Sequence, residues 1–385
     1  MRIAIGGISL LGPLTGIGQY TLHLSQELCK LDHDVNVFLG NNWRDTAIKA
    51  ETKSSSEQIS LIGRALRKIK ANIPGARSSL HQIRQKKFTK GILQKKPSFD
   101  LYHEPNFIPW NCDIPTIITI HDLSWIRYPE THPSDRVKWL NDSLPKSIDK
   151  SEKIIVVSEF VKREMLEVFG SMYQEKICTV YNGVSNDFHQ TSKEETVRLL
   201  NTYGLQYKSY ILAVGTIEPR KNLSTAILAY SRLKPNMQRN YPLVIVGKRG
   251  WLNDELDKLI NSIPAENLRF TGYIPQQDLP AIYTGATTML YPSIYEGFGL
   301  PTIEAMSCGT PVITSTADAI VEVVNGAAKT IDPYATNEWQ YAIEELIECP
   351  KLQEQLSFQG RKRAADFRWD KCAKETLNVY QSIFL

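Results

Sequence analysis

No two of the six cysteines stand in a C-x-x-C pair, so neither a zinc ribbon nor a disulfide framework is supported. Cys29, Cys112, Cys178, Cys308, Cys349 and Cys372 read as reduced packing residues. Long apolar runs are missing too. Ile154 to Val157 and Thr116 to Ile120 are strand-sized, far short of the ~18 residues a membrane-spanning helix needs. The opening MRIAIGGISLLGP has one Arg and no prompt Ala-x-Ala-like site, so Ile3 to Ile5 reads as a first strand rather than a secretory leader, and a cytoplasmic protein is expected. Acidic residues are absent between Gln58 and Phe99, where eleven Lys and Arg occur, although the whole chain carries a net charge of only +4. No internal repeat or low-complexity tract is visible.

What is present points to a two-domain α/β protein. At 385 residues, with 42% apolar and 22% charged, the chain is long enough for two cores. Strand, glycine turn and helix alternate, the pattern of doubly wound parallel sheets. RIAI leads to a loop from Gly12 to Gly18, and Tyr20, Leu24, Leu28 and Leu31 then recur at helical spacing. Further strands are VNVFLG, TIITIH, KIIVVS and KICTVYNG. After a polar stretch the pattern restarts with YILAVG, PLVIVG, LRFTGY, TTMLYP, TPVITS and AKTID. A linker is placed near Ser185 to Gln206, dividing the chain into residues 1–190 and 191–366. Residues 367–385 form a last helix with Ala373, Leu377, Tyr380 and Ile383 on one side.

In open α/β sheets the ligand groups sit on loops at the carboxyl ends of strands, and two facing sheets enclose a cleft. After the first strand, Gly12, Gly16 and Gly18 lead into a helix N-terminus, where bare N–H groups favour an anion. Thr21 stands where a third glycine of G-x-G-x-x-G would be, and no acid ends the second strand, which disfavours a nicotinamide cofactor. The loop could equally make only a tight turn. His121 follows TIITI at a strand end, and His103-Glu104 is a weaker candidate of the same kind. After YILAVG, which ends at Gly215, TIEPRKN puts Arg220 and Lys221 at the start of a helix, where a planar fork and a point charge suit a diphosphate. In YEGFGLPTIEAMS, Gly297 and Gly299 allow close backbone approach to a ligand, and Pro301 is read as the first helical residue. Glu304 then falls in the first turn, where the dipole alone would explain it; Glu296 precedes the turn and has no such explanation.

These residues resemble a known family. YEGFGLPTIEAMSCGTPV is similar to the Glu-(seven residues)-Glu signature of retaining, nucleotide-sugar-dependent group 1 glycosyltransferases of the GT-B fold. TGIGQYT, ITIHDLS, VVSEF, YNGV, VGTIEPRKN, IVGKRG and FTGYIP follow in that family's order, over nearly the whole chain. The resemblance implies two Rossmann-like domains facing a cleft, acceptor-binding in residues 1–190 and donor-binding in 191–366, with the last helix crossing back to the first domain. It gives Glu304 the donor ribose, and it gives Glu296, with the backbone of Gly297, Phe298 and Gly299, the transferred sugar. Arg220 and Lys221 would neutralise the diphosphate, assisted by Gly215 and the backbone at Leu300 and Thr302. Thr271 to Ile274, including Tyr273, would face the base. Gly16 would approach the phosphate from the other domain, and His121 would lie near the reactive carbon. Retention is expected by same-face attack through an ion-paired state, with no metal and no cofactor. Asp32-His33-Asp34 falls away from the strand carboxyl ends and is read as a chance match to a metal motif. One departure is Val321, where the family often has proline before Glu322.

Through LTGIGQYT and IEPRKN the likeness runs to O-antigen mannosyl- and rhamnosyltransferases. It implies GDP-mannose as donor, with GDP-rhamnose or a UDP-sugar as the alternative, a sugar-nucleotide 2-epimerase as a more distant one, and a lipid-linked saccharide as acceptor. In residues 58–99 the basic residues interleave with Leu61, Leu66, Ile73, Ile83, Phe88 and Leu93, which suits an anionic membrane surface on the cytoplasmic face or an ordinary wet helical face. With only Phe88 and Phe99 for stacking, nucleic acid is disfavoured.

Overall fold

The computed structural model describes residues 1–12, 14–45, 76–94, 98–215, 218–247 and 254–385. Two sheets are built as the alternation predicts. In the first, β1 (Arg2–Gly6), β2 (Asp34–Phe38), β3 (Trp43–Asp45), β4 (Leu101–Glu104), β5 (Thr116–Ile120), β6 (Lys153–Val156) and β7 (Ile177–Thr179) lie in the order 3-2-1-4-5-6-7. All pairs are parallel except β2 with β3. In the second, β8 (Ile211–Val214), β9 (Leu243–Val246), β10 (Leu268–Gly272), β11 (Thr288–Tyr291), β12 (Val312–Ser315) and β13 (Lys329–Ile331) run parallel in the order 10-9-8-11-12-13. Each sheet therefore reverses its winding once, between β1 and β4 and between β8 and β11, and ligands of open sheets bind at such switch points. β3 and β4 escape the sequence reading: β3 is a three-residue edge strand, and LYHE is too short to show a period.

The strands are apolar runs because helices cover both faces. Ile3, Ala4 and Ile5 are fully buried, as are Ile211, Leu212 and Ala213. The first domain's core is incomplete without the C-terminus. The helix Trp369–Gln381 packs on the helix Gly16–Lys30, and Trp369, Cys372, Ala373 and Tyr380 join Ile3, Ile5, Tyr20, Leu24 and Leu28 in one cluster. The chain crosses back at Gly183, where a Cβ would stand 2.3 Å from the Trp369 nitrogen, so only glycine fits.

One expectation needs correction here. The stretch Ser185 to Gln206 is not all linker: Lys193–Thr202 is a helix capped by the Ser192 hydroxyl, with Thr196 and Leu200 buried. Its polarity reflects one wet face rather than an extended connection. Of the basic segment, residues 58–75 and 95–97 lie outside the described residues. The helix Ala76–Gln94 belongs to the first domain, since Phe88 is buried against Phe38 and Tyr102 and stacks on Trp43, while Ile83 and Leu93 are exposed.

Candidate active site

The turn between β11 and the helix Leu300–Ser307 is shaped by two glycines with different reasons. Gly299 caps the helix at φ +90°, where a side chain would be strained. A Cβ on Gly297 would lie 1.7 Å from the carbonyl oxygen of His121, so this glycine lets the two domains touch. Between them Phe298 turns inward onto Phe367, leaving only its backbone for a ligand.

Glu296 is buried beside two cations from the loop after β8. Lys221 Nζ lies 2.5 Å from one carboxylate oxygen and Arg220 Nη1 3.1 Å from the other. Burial by itself would raise the Glu296 pKa, but Lys221 and then Arg220 outweigh it and hold the carboxyl at about 2. Burial likewise works against charge on Lys221 and Arg220, and Glu296 overcomes it, raising both. All three groups are therefore ionised at neutral pH.

The loops are interlocked. Arg220 donates to the Tyr295 carbonyl at 2.7 Å and to Glu218 at 2.8 Å, and its own carbonyl accepts from the Ile294 amide at 2.9 Å. Asn222 adopts a left-handed conformation at φ +50°, and its amide donates to the carbonyls of Pro292 and Pro333. Lys221 also donates to the Tyr291 hydroxyl at 2.9 Å. Glu218, Asn222, Tyr291 and Tyr295 were not singled out in the sequence. Glu218 and Asn222 stand inside TIEPRKN, and Asn is among the non-glycine residues most often found at positive φ.

Glu304 sits apart and behaves differently. The helix begins at Leu300 with Pro301 second, so Glu304 is its fifth residue, beyond the first turn in which the dipole acts. The dipole explanation therefore fails. Tyr283 donates to Glu304 at 2.8 Å, yet burial dominates and pushes its pKa up to about 7. The Thr302 hydroxyl donates to the Gly299 carbonyl and is committed to the turn. In the segment expected to face the base, Gly272 has φ +70°, Tyr273 is exposed and Ile274 is buried. Gly215 leaves β8 at φ +146°, and a Cβ there would meet Lys221 at 4.0 Å.

On the opposite side, His121 Nε2 donates to the Pro105 carbonyl at 2.8 Å, which leaves Nδ1 as an acceptor. Burial lowers its pKa, so the ring is neutral. Gly16 opens the helix Gly16–Lys30, and a Cβ on it would stand 3.5 Å from Leu300 across the cleft. His103 is not a site residue. Buried within β4, its ring bonds to Tyr380 at 2.6 Å and Thr119 at 2.7 Å, tying the last helix to the sheet, and burial drives its pKa to about 3. Glu104 lies against Gly6, accepts from Tyr102 and the Asn106 amide, and is pushed up to about 8 by burial. Asp34 pairs with Arg2 at the amino ends of β1 and β2, away from the cleft.

Further contacts bridge the domains. Ser158 donates to the Gly297 carbonyl at 2.7 Å, and Glu322 accepts from the Glu159 and Phe160 amides, capping the helix Glu159–Phe169 from the other domain. Val321 is exposed beside this contact, so the missing proline leaves the clamp intact.

Comparison with known proteins agrees with this geometry. Residues 14–188 match Glycosyltransferase Family 4 and residues 204–363 match Glycosyl transferases group 1. The O-antigen chain mannosyltransferase B of Escherichia coli is 34% identical over 387 residues, covering 99% of this chain and 100% of that protein. An MMP alpha-(1->4)-mannosyltransferase of Mycolicibacterium hassiacum is 25% identical, with 99% and 98% covered. The structure of Anabaena HepE in complex with UDP and glucose superposes with a TM-score of 0.71 at 16% identity, over 99% of this chain and 100% of that one. With switch-point loops, buried ion triad and full-length relative in agreement, the chain belongs to the group 1 glycosyltransferases of GT-B fold.

Proposed function

We propose that this glycosyltransferase moves mannose from GDP-mannose, with retention of configuration, to a lipid-linked saccharide in O-antigen or related polysaccharide assembly. The observation that carries the reading is the triad of Glu296, Lys221 and Arg220 at the β8/β11 switch point, facing His121 across Gly297. The two named mannosyltransferase relatives support the sugar.

In this reading Lys221 and Arg220 receive the diphosphate, whose charge grows as the glycosidic bond breaks. Glu296, kept ionised, accepts hydrogen bonds from hydroxyls of the transferred sugar, while Glu304 takes the ribose. The electron pair of the broken bond stays on the phosphate oxygen. That oxygen removes the proton of the acceptor hydroxyl as the hydroxyl attacks the anomeric carbon from the same face. The neutral His121, whose Nδ1 can accept a hydrogen bond, would lie near that carbon in this reading. No step calls for a metal, so turnover is expected to persist in EDTA; loss on chelation and recovery with a divalent ion would overturn this.

A thermal-shift screen against GDP, UDP, ADP and dTDP tests the donor, since a ligand of the folded state raises the melting temperature. GDP is expected to give the largest shift, and a larger UDP shift would move the assignment to a UDP-sugar. Docking on the inner face of the cytoplasmic membrane through residues 58–99 rests on the basic run and on exposed Ile83 and Leu93. Equal co-sedimentation with neutral and anionic vesicles would remove it.

A further inference from the structure

Glu296 also borders a pocket of about 890 Å³, within the ~300–1,000 Å³ of small-molecule sites. Its first-domain wall comes from Arg127, Tyr128 and the helix Glu159–Phe169, its second-domain wall from the loops after β11, β12 and β13. We propose that this pocket holds a neutral sugar residue of the acceptor chain, beyond the residue that receives the new linkage. The proposal rests on the glycosyltransferase reading above and deepens it.

Charge decides the ligand class. Glu296 is already neutralised by Lys221 and Arg220, and the remaining Glu164, Glu167, Asp318 and Asp332 outnumber the two lining cations, Arg127 and Arg163, so a phosphate or diphosphate is disfavoured. Sugar hydroxyls both donate and accept, and a mixed wall of carboxylates and guanidinium groups satisfies them. The apolar part of the lining suits a sugar's C–H face: Tyr128 and Phe160 lie against Tyr295 with ring centroids 5.4 and 5.8 Å away.

The wall is preorganised. The Tyr295 hydroxyl donates to Glu164 at 2.5 Å and accepts from the Leu123 amide at 2.8 Å, while Arg127 is fixed by Glu164 at 2.7 Å and Glu167 at 2.6 Å. A wall already ordered loses little entropy on binding. By contrast, the side chains of Arg163 and Asp318, one from each domain, have no hydrogen-bond or ion-pair partner among the described residues. They are the groups left to meet a ligand. Tyr295 is next to Glu296 in sequence, so a sugar here adjoins the one Glu296 would hold.

The test is titration of the full chain, followed by NMR, with mannose and glucose oligosaccharides of one to four residues and with inorganic pyrophosphate. At least one series is expected to gain about tenfold in affinity between one and three residues. Arg163→Ala and Asp318→Ala, both at exposed positions, are expected to lose most of that gain while the thermal shift by nucleotide is unchanged. A gain that survives in both variants, the absence of any gain in the unmodified chain, or pyrophosphate binding sensitive to these substitutions would overturn the proposal. If no nucleotide raises the melting temperature, the donor reading fails by itself, and the oligosaccharide titration still decides the pocket.

Discussion

Seven residues separate Glu296 from Glu304, and the two ends of this stretch put their carboxyls in opposite states. At the turn, Glu296 meets Lys221 and Arg220 and is held at about 2; in the helix, Glu304 meets only the Tyr283 hydroxyl and rises to about 7. Burial pushes both upward, so the difference comes from the cations supplied by the loop after β8. One carboxylate is a permanent charge and the other titrates near neutrality. In the proposed roles Glu296 would meet the transferred sugar as a carboxylate at any ordinary pH, and Glu304 would meet the ribose in a state that pH sets.

The largest effect expected is at the turn. Glu296→Ala is predicted to lower kcat at saturating donor at least ~100-fold, the scale of a transition-state contact. Removing one partner of a buried ion pair also costs about 3–5 kcal/mol, so the melting temperature is measured alongside. Near-normal turnover in a folded variant would erase the distinction between the two glutamates.

The next prediction concerns pH. If the ribose diol binds the ionised form of Glu304, nucleotide Kd is expected to rise up to about tenfold per pH unit below about pH 7 and to level off above it. Glu304→Gln is expected to flatten this profile. Because the folded pKa of Glu304 is raised, its contribution to stability is present at low pH and declines as pH rises from about 4.5 through about 7. Glu296 works in the opposite sense, since its stabilisation is lost only as pH falls from about 4.5 towards 2. A melting temperature for Glu304→Gln that tracks the unmodified chain between pH 5 and 8 would contradict the assignment.

A smaller change is expected at the clamp. Glu322→Ala removes two hydrogen bonds to the amides of the helix Glu159–Phe169, a loss of roughly 1.5–3 kcal/mol. It is expected to lower the melting temperature by a few degrees and to leave the pH profile of nucleotide binding unchanged. Altered pH dependence in that variant would show that the domain contact, not Glu304, sets it.

Much of this arrangement was legible in the chain. Parallel strands buried on both faces leave continuous apolar runs, and loops at their carboxyl ends keep the glycines and charges that ligands need, so Arg220, Lys221, Glu296 and Gly297 stood out. The histidines were harder. His103 and His121 carry the same signal at a strand end, yet His103 lies within β4, where its side chain faces the last helix, and His121 lies one residue past β5, at the cleft. His103 is still inside its strand and packs against a neighbouring layer, whereas His121 has left its strand for the loop at the cleft.

The sequence by itself determined two sheets, a C-terminal helix and the loops that carry charge, because periodicity and glycine placement are local properties; that the helix returns to the first domain was implied only by the family resemblance. Only the tertiary structure decided which carboxyl is charged, which histidine is structural and where the domains touch. Those outcomes depend on partners far apart in the chain, as Tyr295 with Glu164 or Glu322 with Phe160, and on a burial that no local pattern records.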